Sequence, residues 1–175
     1  MKIIRFFPFL LILVFLVGCG GAKPVIPEYD DALDQYLFAK RLREQMFIQK
    51  IEEKNKEARD DAVIMAFENV MQRFPADEKV TPLAMIDLAD IYMSQKKYRK
   101  AIDLYEKALM KYPDQDDIVC KSFYGAARGY DEIENYERAL SYYKQCYEKF
   151  ENHPMPHIAA LASKAKFYYN RIRMP

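Results

Sequence analysis

The chain has 175 residues, which is enough for one domain of ordinary size behind a short leader. Hydrophobic residues make up 51% of it and charged residues 30%, a balance that excludes an intrinsically disordered chain, and the scarcity of glycine, with only five, favours helix over sheet. The 27 basic and 26 acidic residues nearly cancel, so the chain lacks the positive field that attracts nucleic acid, and we expect no nucleic-acid partner.

The amino terminus has the pattern of a secretion signal. Lys2 and Arg5 precede an apolar run over residues 6–17, which is too short for the roughly 20 residues of a membrane-spanning helix and is typical of a signal-peptide core. Residues 16–19, Leu-Val-Gly-Cys, resemble the bacterial lipobox, whose cysteine receives a diacylglyceryl group before the leader is cleaved. The resemblance implies that residues 1–18 are a lipoprotein signal peptide and that lipidated Cys19 begins the mature protein. An uncleaved anchor that ends in cysteine is the alternative.

A short tether follows this cysteine. Residues 19–27 include two glycines and two prolines, a composition typical of a flexible linker. Acyl chains on Cys19 would hold the protein on a membrane, since each buried methylene contributes about 0.8 kcal/mol. Gly20, and not aspartate, follows the cysteine, which by analogy with enteric bacteria favours the periplasmic face of the outer membrane. Removal of the leader takes away two basic residues, so the mature charge becomes 25 − 26 = −1.

We interpret residues 28–175 as one helical domain that contains an internal repeat. Alanine and tyrosine recur at the same offsets in residues 101–108 and 139–146, and a pair of small or apolar residues precedes a tyrosine in both 88–92 and 126–130. This pattern resembles the tetratricopeptide repeat (TPR) and is strongest over residues 82–113 and 120–151. In the order of that family, the first unit has Met85, Leu88, Ala89, Tyr92, Ala101, Tyr105, Ala108 and Pro113, and the second has Phe123, Ala126, Ala127, Tyr130, Ala139, Tyr143 and Cys146.

The sizes of the repeated residues explain how such helices could pack. Alanine at the shared positions lets two helices approach closely, and the tyrosines fill the space between successive hairpins. Hairpins of this kind cannot bury their apolar faces alone, so they stack on one another. We therefore predict an all-α fold, a TPR-type α-solenoid of antiparallel helix hairpins.

The repeat pattern weakens upstream of these two units. Val63, Phe67 and Val70 match second-helix positions, but the matching first helix would place the large Ile51 where a small residue belongs. Residues 28–74 are therefore a helical extension that is either a degenerate hairpin, turning near Asn55, or one long helix.

The pattern also continues downstream. Ile158, Leu161 and Ala162 match the beginning of a further first helix, and Ala165, Tyr169 and Ile172 extend its apolar face. Because no partner helix follows, we expect this segment to cap the stack.

The sequence contains no motif that predicts catalysis. It lacks a Gly-rich phosphate loop, a Ser/His/Asp arrangement and a Cys-x-x-Cys motif. His153 and His157 are separated by two prolines, so we place them in a linker before the last helix and not in a metal site. The acidic pairs at 52–53 and 60–61 lie in a polar stretch and are interpreted as solvated surface. We predict no enzymatic activity, no metal and no cofactor.

Two cysteines lie within the repeat. Cys146 occupies a small-residue packing position, which predicts buried free thiols at Cys120 and Cys146. A disulfide is the alternative, because the export signal implies an oxidising compartment and both residues lie toward the same end of the second hairpin.

The resemblance to TPR proteins also implies a binding surface. In that family the concave face is lined by first-helix residues outside the packing positions, which here are Leu83, Ile86, Asp90, Met93, Lys121, Tyr124, Arg128 and Asp131. Lys121, Tyr124 and Arg128 are spaced i, i+3, i+7 and share one face of a helix, so they could hold an extended or helical peptide. Because neither Tyr124 nor Arg128 lies on a packing position, we expect both to be dispensable for folding. An ordinary solvated face is the alternative interpretation.

Lipobox, tether and repeats together resemble bacterial outer-membrane TPR lipoproteins, similar in organisation to BamD-like subunits of the β-barrel assembly machinery and to pilotins. The resemblance implies a lipid-anchored adaptor that faces the periplasm and binds a protein or peptide on its concave face, in an envelope assembly or secretion complex. One alternative is an enzyme or accessory subunit of peptidoglycan metabolism. Another is a structural lipoprotein that forms homo-oligomers.

Overall fold

The computed structural model describes residues 25–48 and 56–174. Within these ranges the chain forms seven helices and no strand. Their bounds are α1 Ala32–Ile48, α2 Lys56–Arg73, α3 Thr81–Ser94, α4 Tyr98–Lys111, α5 Asp116–Glu132, α6 Tyr136–Phe150 and α7 Pro156–Arg173. The predicted signal peptide, the predicted lipidation site Cys19 and the first part of the predicted tether lie outside the described residues. None of the described helices is both long and apolar enough to cross a membrane.

The helices stack as a curved solenoid. Each helix packs against the next, and α5 also contacts both α3 and α7. The outer helices α4 and α6 do not share a comparable interface within the described residues. Because α5 contacts α3 and α7 whereas α4 and α6 share no comparable interface, the stack curves with α3, α5 and α7 on the concave side.

The small residues of the repeat lie where helices approach most closely. Ala89, Ala101, Ala108, Ala127 and Ala139 are all fully buried, as the sequence predicts. These alanines and the repeated tyrosines belong to two clusters of buried residues, one extending from α1 to α5 and the other from α4 to α7.

Two glycines in α5 allow a contact that the repeat pattern does not reveal. A Cβ atom on Gly125 would lie 2.3 Å from the ring of Tyr105, and one on Gly129 would lie 2.6 Å from Cγ1 of Ile102. Glycine inside a helix costs roughly 1 kcal/mol relative to alanine. The two glycines in α5 are therefore explained by packing, because side chains of α4 occupy the space that a Cβ atom at either position would need.

The turn inside each of the two later hairpins has the same geometry. Lys96 and Glu134 have φ angles of 58° and 59°. The next amide in each turn donates a hydrogen bond back across the helix end, from Lys97 to Tyr92 O and from Asn135 to Tyr130 O, both at 2.9 Å. This is the Schellman motif, in which a left-handed residue ends the first helix and reverses the chain.

The upstream segment is a hairpin and not one long helix. Arg73, at the end of α2, donates a hydrogen bond to Gln35 near the beginning of α1, so the two helices are antiparallel. The expected turn near Asn55 and the mismatched Ile51 lie outside the described residues. Within the described residues, Ala39 is a fully buried small residue of α1. The helices α1 and α2 have 17 and 18 residues, whereas α3 and α4 have 14 each.

The helix α7 packs on the second repeat unit, as the sequence predicts. Ile158, Ala162 and Ala165 are buried, and α7 packs on both α5 and α6. The linker prediction is correct for His153 but not for His157, which lies in the first turn of α7.

Candidate functional site

The concave face is formed by α1, α3, α5 and α7, and the predicted binding residues differ in how much surface they offer there. On α3, Asp90 is exposed and Leu83 is partly buried, whereas Ile86 and Met93 are buried in the core. Met93 is buried because α5 approaches it through Gly129, whose Cβ position would lie 3.6 Å from the Met93 sulfur. Ile86 and Met93 therefore leave little surface for a partner.

Asp87 joins the first two hairpins and was not singled out from the sequence. Its carboxylate accepts a hydrogen bond from the Tyr36 hydroxyl at 2.7 Å and another from Arg43 at 2.9 Å. Burial and the neighbouring carboxylate of Asp87 raise the pKa of Tyr36. These two hydrogen bonds join residues 51 and 44 positions apart in the sequence, so no local pattern could have revealed them.

Asp90 lies on the floor of the concave face. Water reaches it, although protein atoms surround it, and the buried Tyr105 hydroxyl donates a hydrogen bond to its carboxylate. Burial raises the pKa of Asp90, and the negative charge of Asp87 raises it further, against the lowering effect of the Tyr105 hydrogen bond. Because Asp87 is paired with Arg43, Asp90 is the exposed carboxylate in this part of the groove.

Three tyrosines form a cluster where α5, α6 and α7 meet. The ring of Tyr124 lies 6.1 Å from Tyr143 and 6.2 Å from Tyr168, and Tyr143 stacks on Tyr168 at 5.7 Å. Tyr124 is partly buried by these contacts. Because α7 covers one side of this ring, Tyr124→Ala would remove packing contacts, and the expectation that Tyr124 is dispensable for folding stays a prediction.

Two arginines lie over this cluster. The Arg128 guanidinium lies 5.9 Å from the Tyr124 ring centre, and that of Arg171 lies 4.6 Å from the ring centre of Tyr168. Arg128 is exposed, so the expectation that it is dispensable for folding remains a prediction. Arg171 also donates a hydrogen bond to Asp131 at 2.7 Å, which joins α7 to α5.

A cavity of about 280 Å³ opens between α5 and α7 on the same side. Its polar lining includes Lys121, Lys164 and His157, and its apolar lining includes Cys120 and Leu161. Lys121 pairs with Asp117 at 2.6 Å, one helical turn earlier, and His157 lies 3.3 Å from the same aspartate. The cavity is large enough for a side chain of a bound peptide, but small for a cofactor.

The two histidines do not share a site. His153 contacts Asp116 and His157 contacts Asp117, each at 3.3 Å. Across the described ranges no group of three or more His, Cys, Asp or Glu side chains has the arrangement of a metal site.

Cys120 and Cys146 are buried free thiols with their sulfur atoms 3.7 Å apart. The hydrogen bond with Cys120, together with burial, raises the pKa of Cys146. Both effects disfavour the thiolate, which is the nucleophilic form. The structure has the thiols that the packing position predicts, close enough that the disulfide alternative is sterically reasonable.

A comparison with known protein families agrees with this geometry. The model of the tetratricopeptide repeat family matches residues 80–152, which span α3 to α6. No curated protein matches the chain significantly. Repeats of this kind typically serve as non-catalytic scaffolds for protein–protein interaction. With its paired helices and concave inner layer, the part of the chain that the structure describes is a TPR-type α-solenoid.

Proposed function

We propose that this chain is a lipid-anchored scaffold that faces the periplasm and binds a partner protein on its concave face, within an envelope assembly or secretion complex. The observation that carries the proposal is the α5–α7 part of that face, where Arg128 and Lys164 are exposed beside the partly buried rings of Tyr124 and Tyr168. Arginine and tyrosine are enriched at binding hot spots because they combine a large contact area with a polar group.

The anchor is supported by the leader, the lipobox-like residues 16–19 and the tether. Labelling cells with a radioactive fatty acid should label the parent chain and not the Cys19→Ser variant. The variant should also accumulate as an uncleaved precursor. Equal incorporation by the two proteins would exclude lipidation at Cys19.

The docking surface can be tested by placing a photo-crosslinking amino acid at single positions in the native envelope. Substitution at Arg128 or Lys164 should yield a discrete crosslinked partner. Substitution at Lys107, which is exposed on the outer helix α4, is the matched control and should not. Crosslinks from Lys107 alone would place the docking surface on the convex side.

Self-association is a second candidate, favoured by apolar side chains at the two ends of the stack. Leu33 and Leu37 on α1 are 50% and 38% exposed, and Phe167 on α7 is 65% exposed. Exposed large apolar side chains at both ends could form a head-to-tail contact. Sedimentation of the parent and of Phe167→Ser would separate the candidates, because only a self-associating chain would change its mass with concentration and lose that behaviour in the variant.

A further inference from the structure

We infer that the concave face between α5 and α7 recognises an acidic peptide segment that carries an apolar side chain. This inference rests on the proposed protein-binding function and specifies its partner chemistry. It is carried by two matching rows of side chains, by their charge, and by the cavity beside them.

The two rows have the same order of residue types. On α5 the row is Lys121, Tyr124 and Arg128, and on α7 it is Lys164, Tyr168 and Arg171. The centres of the two tyrosine rings lie 6.2 Å apart with their planes tilted by 59°, and each arginine lies over the tyrosine of its own helix. Two parallel helices therefore present lysine, tyrosine and arginine side by side along one surface.

The charge of this surface is positive and partly uncompensated. Asp117 pairs with Lys121, and Asp131 pairs with Arg171. Within the described residues, Arg128 and Lys164 form no ion pair, and both are exposed. The whole of α7 contains four basic residues and no acidic one. Carboxylates of a bound segment would complete these pairs, and hydrogen bonds between charged partners are roughly twice as strong as neutral ones.

The cavity adds the apolar element. Cys120, Ile158 and Leu161 line it, with Lys121 and Lys164 beside them. A side chain of leucine or phenylalanine size would be buried there while a neighbouring carboxylate reached a lysine. The exposed carboxylate of Asp90 on α3 would repel the same segment, so the α5–α7 surface sets where it binds.

Nucleic acid could also use lysine, arginine and tyrosine, but the four aspartates on or beside this surface oppose a continuous phosphate backbone. These are Asp87, Asp90, Asp117 and Asp131. An acidic peptide places its charges at discrete points and can avoid them, so we favour the peptide over the polynucleotide.

The test uses the full chain purified in detergent and random 12-residue peptides displayed on phage. Enriched peptides should contain several Asp or Glu residues beside one apolar residue. A synthetic copy labelled with fluorescein should bind in an anisotropy titration, and replacement of its Glu by Gln should weaken binding at least about tenfold. Lys164→Glu and Arg128→Glu should each weaken binding by a similar factor, whereas Lys164→Arg should retain it. Lys107→Glu makes the same charge change on α4 and should alter affinity less than about twofold, and circular dichroism should show all variants equally helical.

Other results would overturn the inference in distinguishable ways. Enriched peptides that are neutral or basic, yet lose binding in Arg128→Glu, would reject acidic recognition and keep the protein-binding scaffold. Binding of a 12-nucleotide oligothymidine that is equally sensitive to Lys164→Glu and competes with the peptide would replace peptide by nucleic acid. Failure to enrich any peptide that depends on Arg128 or Lys164 would count against both the inference and the proposed function of this face.

Discussion

The hairpins α3–α4 and α5–α6 share their packing residues and differ in their groove residues. At matching positions both have a buried alanine in the first helix, Ala89 and Ala127, and another in the second, Ala101 and Ala139. Both end their first helix with the same left-handed turn. The residue that follows Ala89 or Ala127, however, is acidic in one hairpin and basic in the other, Asp90 against Arg128.

This exchange changes the role of a buried tyrosine. In α4, the Tyr105 hydroxyl donates a hydrogen bond to the Asp90 carboxylate. In α6, the equivalent residue is Tyr143, and the position on α5 that matches Asp90 is Arg128, which has no acceptor atom to offer. The buried hydroxyl of Tyr143 has no hydrogen-bond partner within the described residues. Its ring instead stacks on Tyr168 of the capping helix. Helix packing therefore restricts the residue type at the alanine positions. The groove positions are free to differ, and their differences would determine which partner fits.

If the packing positions of the two hairpins are equivalent, a large side chain at either buried alanine should lower the stability of the fold by a similar amount. Ala101→Trp and Ala139→Trp should each cost at least about 1–3 kcal/mol, because each alanine is fully buried between two helices. Urea denaturation followed by circular dichroism measures this. Lys107→Trp, on an exposed position of α4, should stay within about half a kcal/mol. A hairpin that tolerates tryptophan would not share the packing register of the other.

The two buried tyrosines should respond with different sign to loss of the hydroxyl. Tyr105→Phe should cost about 1 to 2 kcal/mol, because it removes a hydrogen bond to a carboxylate. Tyr143→Phe should be neutral or stabilise by up to about 1 kcal/mol, because it removes a buried hydroxyl without a partner. The two variants differ from the parent by the same single atom, so each is the control for the other. Equal costs would mean that Tyr143 has an acceptor and that the contrast between the hairpins is smaller than described.

The two turns should gain similar stability from glycine. Lys96→Gly and Glu134→Gly should each stabilise by about 0.5–1 kcal/mol, since both residues have φ near +60°, where a Cβ atom is strained. Thermal denaturation of the single and double variants would show the two gains adding. Lys107→Gly, inside α4, should instead lower stability by about 1 kcal/mol. Loss of stability in either turn variant would contradict the left-handed conformation there.

The smallest effect concerns the charge of Asp90 itself. Burial and the nearby Asp87 raise the pKa of Asp90 above its ordinary value of 3.8, so the folded protein holds this proton more tightly than the unfolded chain does. Ionising Asp90 therefore costs stability, a cost absent below pH 3.8 and complete above the raised pKa of the folded state. Asp90→Asn should match the parent in acid and exceed it at neutral pH by less than about 1 kcal/mol, since water still reaches the group. A stability difference that does not change with pH would show that ionisation of Asp90 is not its cause.

The repeat itself could be predicted from sequence because its determinants are local. Alanine and tyrosine at fixed offsets specify which helix faces can approach and which must fill space, and this is enough to place α3 to α6 and the capping α7. Of the eight predicted groove positions, two are exposed and four are partly buried, but Ile86 and Met93 are buried, because sequence offsets cannot show how closely the next helix approaches.

What the sequence determined by itself, therefore, is the helices from α3 to α7 and the residues through which the hairpins α3–α4 and α5–α6 close. Only the tertiary structure decided the rest: that Ala39 is a buried small residue of a longer first hairpin, that Asp87 bridges α1 and α3, and that α7 brings Tyr168 and Arg171 beside Tyr124 and Arg128. These contacts join residues 40 or more positions apart in the chain. Their physical basis is the spacing between stacked helices, which depends on every side chain at the interface and which no repeat offset records.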